Sequence, residues 1–209
     1  MVQALPQRVT FEEFTQGLPE SSEERYELHR GVIVAMPKPR GKHSEVAGFI
    51  NGKLFTEIER QQLPYFIPRE CLVRSQDGAS GYEPDVIVLD RGALRDEPLW
   101  ERESIITLGK SVKLIIEVVS TNWQDDYLYK LADYQALGIQ EYWIVDYAAL
   151  GGRIYIGNPK QPTLSVYTLM EDGEYNVQPF RESSSLLSMT FPDLTLSVAQ
   201  VFQAKQGPL

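Results

Sequence analysis

Between His43 and Gln62, Val46, Ile50, Leu54 and Ile58 recur every four residues, with Phe49 and Phe55 beside them. That spacing predicts a long helix with one apolar stripe. Gly48 and Gly52 weaken it and are expected to let another element pack closely; Pro64 closes it. A second helical pattern runs from Trp123 to Leu137 and stops at Gly138, a residue suited to the left-handed end of a helix. A short third helix is expected at Thr10, which caps it together with Glu13 three residues on.

Strand patterns fill most of the remainder. Residues 25–36 read as two short strands about a turn at Arg30-Gly31, ended by Pro37, Pro39 and Gly41. The compact apolar runs 84–89, 112–119 and 141–146 suit strands buried on both faces. Shorter strands are expected at 65–68, 71–73, 153–156, 164–169 and 175–177, with a turn at 77–81. Residues 91–110 look polar and irregular. Val198, Val201 and Phe202 suggest a closing helix. This order predicts a mixed sheet with helices packed against it, in one α/β domain spanning residues 1–209. No glycine-rich turn joins a strand to a helix, so neither a P-loop nor a dinucleotide fingerprint is present.

Composition narrows the field. A chain of 209 residues with 43% hydrophobic and 23% charged residues can bury a core without covalent staples. Its single cysteine, Cys71, permits no internal disulfide and no cysteine-rich zinc site, which suits a reducing, cytoplasmic setting. The first residues do not read as a signal peptide, and no apolar stretch is long enough to span a bilayer. The net charge of -9 argues against general charge-driven binding of nucleic acid. It leaves room for a local patch at Lys38, Arg40, Lys42 and His43, which reads equally as a solvated loop.

Two acidic residues break the apolar strands. Glu117 lies inside the run 114–119, where a carboxylate is costly unless a metal or a cation pairs with it. Asp85 opens another run. On neighbouring strands at one level, the two could hold Mg²⁺ or Mn²⁺. Such an ion activates water and shields a phosphodiester's charge.

Pro84-Asp85 followed by Glu117-Val118-Val119 resembles a PD-(D/E)XK signature with its last position altered. More widely, the chain resembles the Uma2 family, also known as DUF820, through residues 25–36, 83–86, 116–120, 130–134, 138–146 and 191–196, in order along the chain. The resemblance implies a restriction-endonuclease-like core, a mixed β-sheet flanked by helices with an extra N-terminal hairpin and C-terminal strands. It also implies a divalent-metal nuclease site, though no known substrate; the reading taken from it is Mg²⁺- or Mn²⁺-dependent hydrolysis of nucleic acid, with DNA favoured over RNA. Asp85 and Glu117 would bind the metal, with the Val118 carbonyl as a further ligand. The usual lysine would stand at Val119, on the same strand face as Glu117; Lys130 matches the family's relocated lysine. Tyr134, one turn later, Glu27 and His43 would support the site, with Glu45 ranked below them.

Blander readings stand beside these. Lys130 could pair with Asp126 in solvent, and His43 could be a packing or capping residue. The helix carrying Lys130 is expected to pack through Leu128, Leu131 and Ala132, so that Lys130→Ala would scarcely affect folding. Cutting both strands would call for a homodimer, paired through apolar C-terminal strand edges. Val119 and the negative charge favour the rival reading, a non-catalytic module that binds nucleic acid or a protein. A small-substrate metallohydrolase ranks last, because histidine clusters are missing.

Overall fold

The structure, a computed structural model, describes residues 8–17 and 24–204; the first seven residues, read above as lacking a signal, lie outside them. Two sheets form rather than one. The hairpin β1 (Arg25–His29) and β2 (Val32–Met36) joins β4 (Leu72–Arg74), β5 (Gly81–Tyr82) and β7 (Ile105–Ile106) in the order β2-β1-β5-β4-β7. The helix α1 (Phe11–Gly17) covers this sheet through Phe11 and Phe14, which pack with Leu28 and Ile105. Thr10 and Glu13 cap it reciprocally, as expected.

The larger sheet positions the site. It runs β11-β10-β9-β8-β6-β3, from β11 (Tyr175–Phe180) through β10 (Thr163–Leu169), β9 (Glu141–Asp146), β8 (Val112–Val118) and β6 (Val86–Asp90) to β3 (Tyr65–Phe66). β8 pairs antiparallel with β6 and parallel with β9. The helix α2 (Gly41–Gln61) lays Val46, Ile50, Leu54 and Ile58 on one face, against Val86, Val88, Ile116 and Val118. The closing helix α6 (Val198–Gln203) joins that layer. On the opposite face, Ile87, Ile115, Val119 and Ile144 pack with Tyr127 and Tyr134.

Several expectations change. Gly48 and Gly52 face open space, with no atom within 4 Å of where a Cβ would stand, so they serve no close packing. Residues 153–156 form a helical turn, α5 (Arg153–Ile156), not a strand. Ile156 and Gly157 donate back to the carbonyls of Gly152 and Arg153, and a four-residue apolar run has no periodicity that separates the two states. Residues 91–110 are more ordered than their polarity suggests. They contain two 3-10 turns, the short helix α3 (Trp100–Glu103), and β7, parallel to β4.

The helix after Glu117 is not uniform. A π-helical turn, Asp125–Lys130, leads into α4 (Leu131–Leu137), which ends at Gly138 with φ 82°. The inward residues are Asp126, Tyr127, Lys130 and Tyr134, while Leu128 and Ala132 are exposed. The wider turn changes which side chains face the sheet, which a regular 3.6-residue period does not capture.

Candidate active site

Side-chain alternation along β8 sends Ile116 and Val118 towards α2 and Glu117 towards α4. Val86 lies opposite Ile116 in the antiparallel register, so Asp85, one residue earlier, is level with Glu117. Asp85 Oδ2 accepts the Val118 backbone N–H at 2.8 Å, and His43 Nε2, from the first turn of α2, lies 3.2 Å from the same oxygen. The Tyr134 hydroxyl donates to Glu117 Oε1 at 3.0 Å, and Lys130 Nζ lies 3.1 Å from that oxygen. The partners therefore gather on one oxygen of each carboxylate. Among the described residues, none donates a hydrogen bond to Asp85 Oδ1 or Glu117 Oε2.

The π-turn brings Lys130 into the interior, where it is 4% exposed. Its ammonium lies 3.2 Å from Glu27 Oε1 on β1 and 3.8 Å from Asp126 Oδ1, with the Tyr82 ring 5.5 Å away. The solvent-exposed pair with Asp126 does not occur. Glu27, itself buried, also accepts the Glu83 backbone N–H at 3.0 Å, and its Oε2 lies 2.7 Å from His29 Nε2. One buried cluster thus joins the two sheets.

Burial and charge set the ionisation. Burial pushes Glu27 up, but Lys130, His29 and the Glu83 N–H outweigh it and hold Glu27 down at about 2. Burial wins at Glu117, raising it to about 7 against the pull of Lys130, with Asp85 and Glu27 adding repulsion. Asp126 is likewise driven well above the carboxylate range, mainly by burial. Desolvation disfavours the Lys130 ammonium, yet the surrounding carboxylates overcome it and keep the group well above the usual lysine range. Burial lowers His43, and the Asp85 hydrogen bond more than restores it, leaving it raised. Burial and then Glu117 hold the Tyr134 phenol protonated.

Of the residues singled out from the sequence, Asp85, Glu117, Lys130, Tyr134, Glu27 and His43 come together here. Glu45 does not; it is exposed and pairs with Lys42. Val119 is a buried core residue and offers no charge. Sequence reasoning passed over His29 and Tyr82, and placed Asp126 only in a solvent-exposed pair with Lys130. His29 follows Glu27 by two residues on the same strand face, a signal that alternation could have supplied. Tyr82 left no comparable trace.

The sequence pattern of a known family, Uma2, described as "Putative restriction endonuclease", matches residues 11–199. The chain belongs to the Uma2 family. Its fold is shared by the crystal structure of a "putative nuclease belonging to DUF820" from Anabaena variabilis. That match has a TM-score of 0.69 and 22% identity, and covers 94% of this chain and 98% of the other. No curated protein matches the chain. No helix among the described residues of this Uma2 protein is long and apolar enough to cross a membrane.

The site's chemistry suits a small hard cation. Among the described residues, no group of three or more His, Cys, Asp or Glu side chains stands ready as a complete cage. Two carboxylates with free oxygens, a nearby backbone carbonyl and solvent are instead the donors that Mg²⁺ accepts while keeping several waters. Four carboxyl groups crowd around one lysine, with His29 and His43 at the margins, and a dication would offset the mutual repulsion that helps to raise Glu117 and Asp126.

Proposed function

We propose that this Uma2 protein is a divalent-metal-dependent endonuclease that hydrolyses phosphodiester bonds of nucleic acid, with DNA preferred to RNA. The observation that carries this reading is the free oxygen pair, Asp85 Oδ1 and Glu117 Oε2, beside the buried Lys130 ammonium. Asp85, Glu117 and the Val118 carbonyl would hold Mg²⁺ or Mn²⁺. When bound, the ion would supply charge shielding for the phosphodiester and activation of a water.

The remaining roles belong to the chain. Lys130 keeps a fixed positive charge at the position from which Val119 cannot act, and such preorganised charge is usually the largest catalytic term. Tyr134 fixes the rotamer of Glu117 through its hydroxyl. Glu27 holds Lys130 from the other side. His43 orients Asp85 and can donate to a phosphate oxygen from the start of α2, where the helix dipole favours anions.

The test is cleavage of end-labelled DNA and RNA by the full chain with Mg²⁺ or Mn²⁺, beside Asp85→Asn and Lys130→Met. Cleavage that needs metal and disappears in both variants is the expected result. Independently, saturating Mg²⁺ at about a hundredfold over its Kd should add about 2.7 kcal/mol of stability to the parent, and none to Asp85→Asn. The rival, a non-catalytic module, is favoured by Val119 and the net charge of -9. It predicts binding of labelled nucleic acid with no cleavage under any metal.

A further inference from the structure

The chain has two histidines, and both touch the cluster from different sides. His43 bears on Asp85. His29, at the end of β1, bears on Glu27 and lies outside every role assigned above. We infer that His29 is a positioning residue that, by hydrogen-bonding the far oxygen of Glu27, compels Lys130 to be shared between Glu27 and Glu117 rather than captured by Glu27 alone. The inference rests on the nuclease reading only for its kinetic consequence; the geometric part stands without it.

The two oxygens of Glu27 have different partners. Oε1 accepts the Glu83 N–H at 3.0 Å and faces Lys130 Nζ at 3.2 Å. Oε2 turns away from the lysine and meets His29 Nε2 at 2.7 Å. Glu27 is ionised, so it can only accept, and His29 Nε2 must carry the hydrogen. The imidazole is itself held in place. Its ring meets Tyr82 edge-on at 5.2 Å between centroids, and its Nδ1 lies 3.9 Å from Asp125 Oδ1 on the π-turn. Tyr82 in turn donates to Asp133 on α4 at 2.7 Å. His29 thus reads the positions of both the smaller sheet and the helix that carries Lys130.

Without this donor, Oε2 would be a buried carboxylate oxygen with nothing to accept, a costly state. The nearest remedy is rotation of the carboxylate so that both oxygens address the ammonium. Lys130 would then be drawn from Glu117 Oε1, which it now approaches at 3.1 Å. A displacement of this kind leaves the fold and the metal ligands in place but moves the one fixed cation of the site. The effect belongs in the turnover number rather than in substrate or metal affinity.

The experiment compares His29→Leu with His29→Gln in the full chain. Glutamine keeps an N–H that can reach Glu27; leucine fills similar space and cannot donate. His29→Leu should lower kcat by on the order of tenfold to a hundredfold. KM and the Mg²⁺ dissociation constant should stay within about threefold, and His29→Gln should recover most of kcat. A second readout needs no activity. The nitrogen-15 ammonium signal of Lys130, slowed in exchange by burial, should shift or vanish in His29→Leu and return in His29→Gln.

Parental kcat and an unmoved Lys130 signal in His29→Leu overturn the inference while leaving the nuclease reading intact. Equal loss in both variants also overturns it, since that marks a packing role. If the parent cleaves nothing, but the Lys130 signal moves in the leucine variant and is restored by glutamine, the positioning role stands and the nuclease reading falls. Should His29→Leu fail to fold, His29→Asn, too short to reach Glu27 from the same backbone, takes its place in the same comparison.

Discussion

Lys130 is the residue on which the buried charges turn. Its side chain stands against Glu27, Glu117 and Asp126, so its removal strands carboxylates away from water. The sequence suggested that Lys130→Ala would scarcely disturb folding; burial argues otherwise. Breaking a buried pair by deleting one partner typically costs about 3–5 kcal/mol. A urea unfolding curve of Lys130→Ala at pH 7 should show a loss of that order, shrinking towards pH 5 as the stranded carboxylates take up protons. Glu27 and Glu117 pull the pH dependence in opposite directions. Glu27 falls from 4.5 to about 2 on folding, so its contribution is present above pH 4.5 and is lost as pH drops towards 2. That contribution is on the order of 3 kcal/mol. Glu117 rises from 4.5 to about 7, so folding loses stability as pH climbs through that window. The metal-free chain should therefore be most stable near the lower end of the window. Glu117→Gln should flatten the decline between pH 4.5 and 7, and Glu27→Gln should flatten the decline below 4.5; chemical denaturation across pH measures both.

At the scale of elements, the site depends on how closely the helix carrying Lys130 and Tyr134 docks onto the sheet. Gly109, just ahead of β8, is the contact that sets this distance. A Cβ there would lie 2.1 Å from the Leu137 carbonyl oxygen, at the end of α4. The oxygen is backbone and a Cβ is fixed by the backbone that bears it, so no rotamer change relieves the clash. Gly109→Ala should destabilise the fold by about 1–3 kcal/mol or more. It should also weaken cleavage out of proportion, because the end of α4 must move. Thermal melts beside single-turnover rates would separate the two effects. The π-turn ahead of α4 has a matching function. It turns Asp126, Tyr127 and Lys130 inward within one stretch, and π-turns commonly occur at functional sites.

For the whole molecule, the cluster fastens the two sheets together: Glu27 comes from the smaller one, Glu117 from the larger, and Lys130 lies between them. We propose that both sheets unfold as one unit. Near- and far-ultraviolet circular dichroism should give coincident transitions, and Glu27→Leu should separate them; two transitions in the parent would show independent units. We also propose a homodimer, since cutting both strands of a duplex needs two sites. The expected route through C-terminal strand edges looks unsuited to it. The edge strand β11 exposes Asn176, Val177, Gln178 and Pro179, and proline offers no N–H to a new neighbour. Sedimentation at micromolar concentration should give the mass of two chains, and a monomer throughout would refute the pairing.

The apolar periods alone determined α2, the buried strands β6, β8 and β9, and the anomaly of a carboxylate inside β8. These are local properties, because helix and strand repeats and the cost of a buried charge are written into neighbouring residues. Alternation set the face that Glu117 takes, and the family likeness pointed to Lys130 and Tyr134, but only the register of β6 on β8 brought Asp85 level with Glu117. Only the tertiary structure decided that there are two sheets, because short strands such as β5 and β7 hold no periodicity of their own and exist through their partners. It alone decided that Lys130 lies between Glu27 and Glu117, since that position depends on a π-turn and on a docking distance fixed by Gly109. It also brought Asp125, from the π-turn, to the imidazole of His29 that strand alternation already sets beside Glu27.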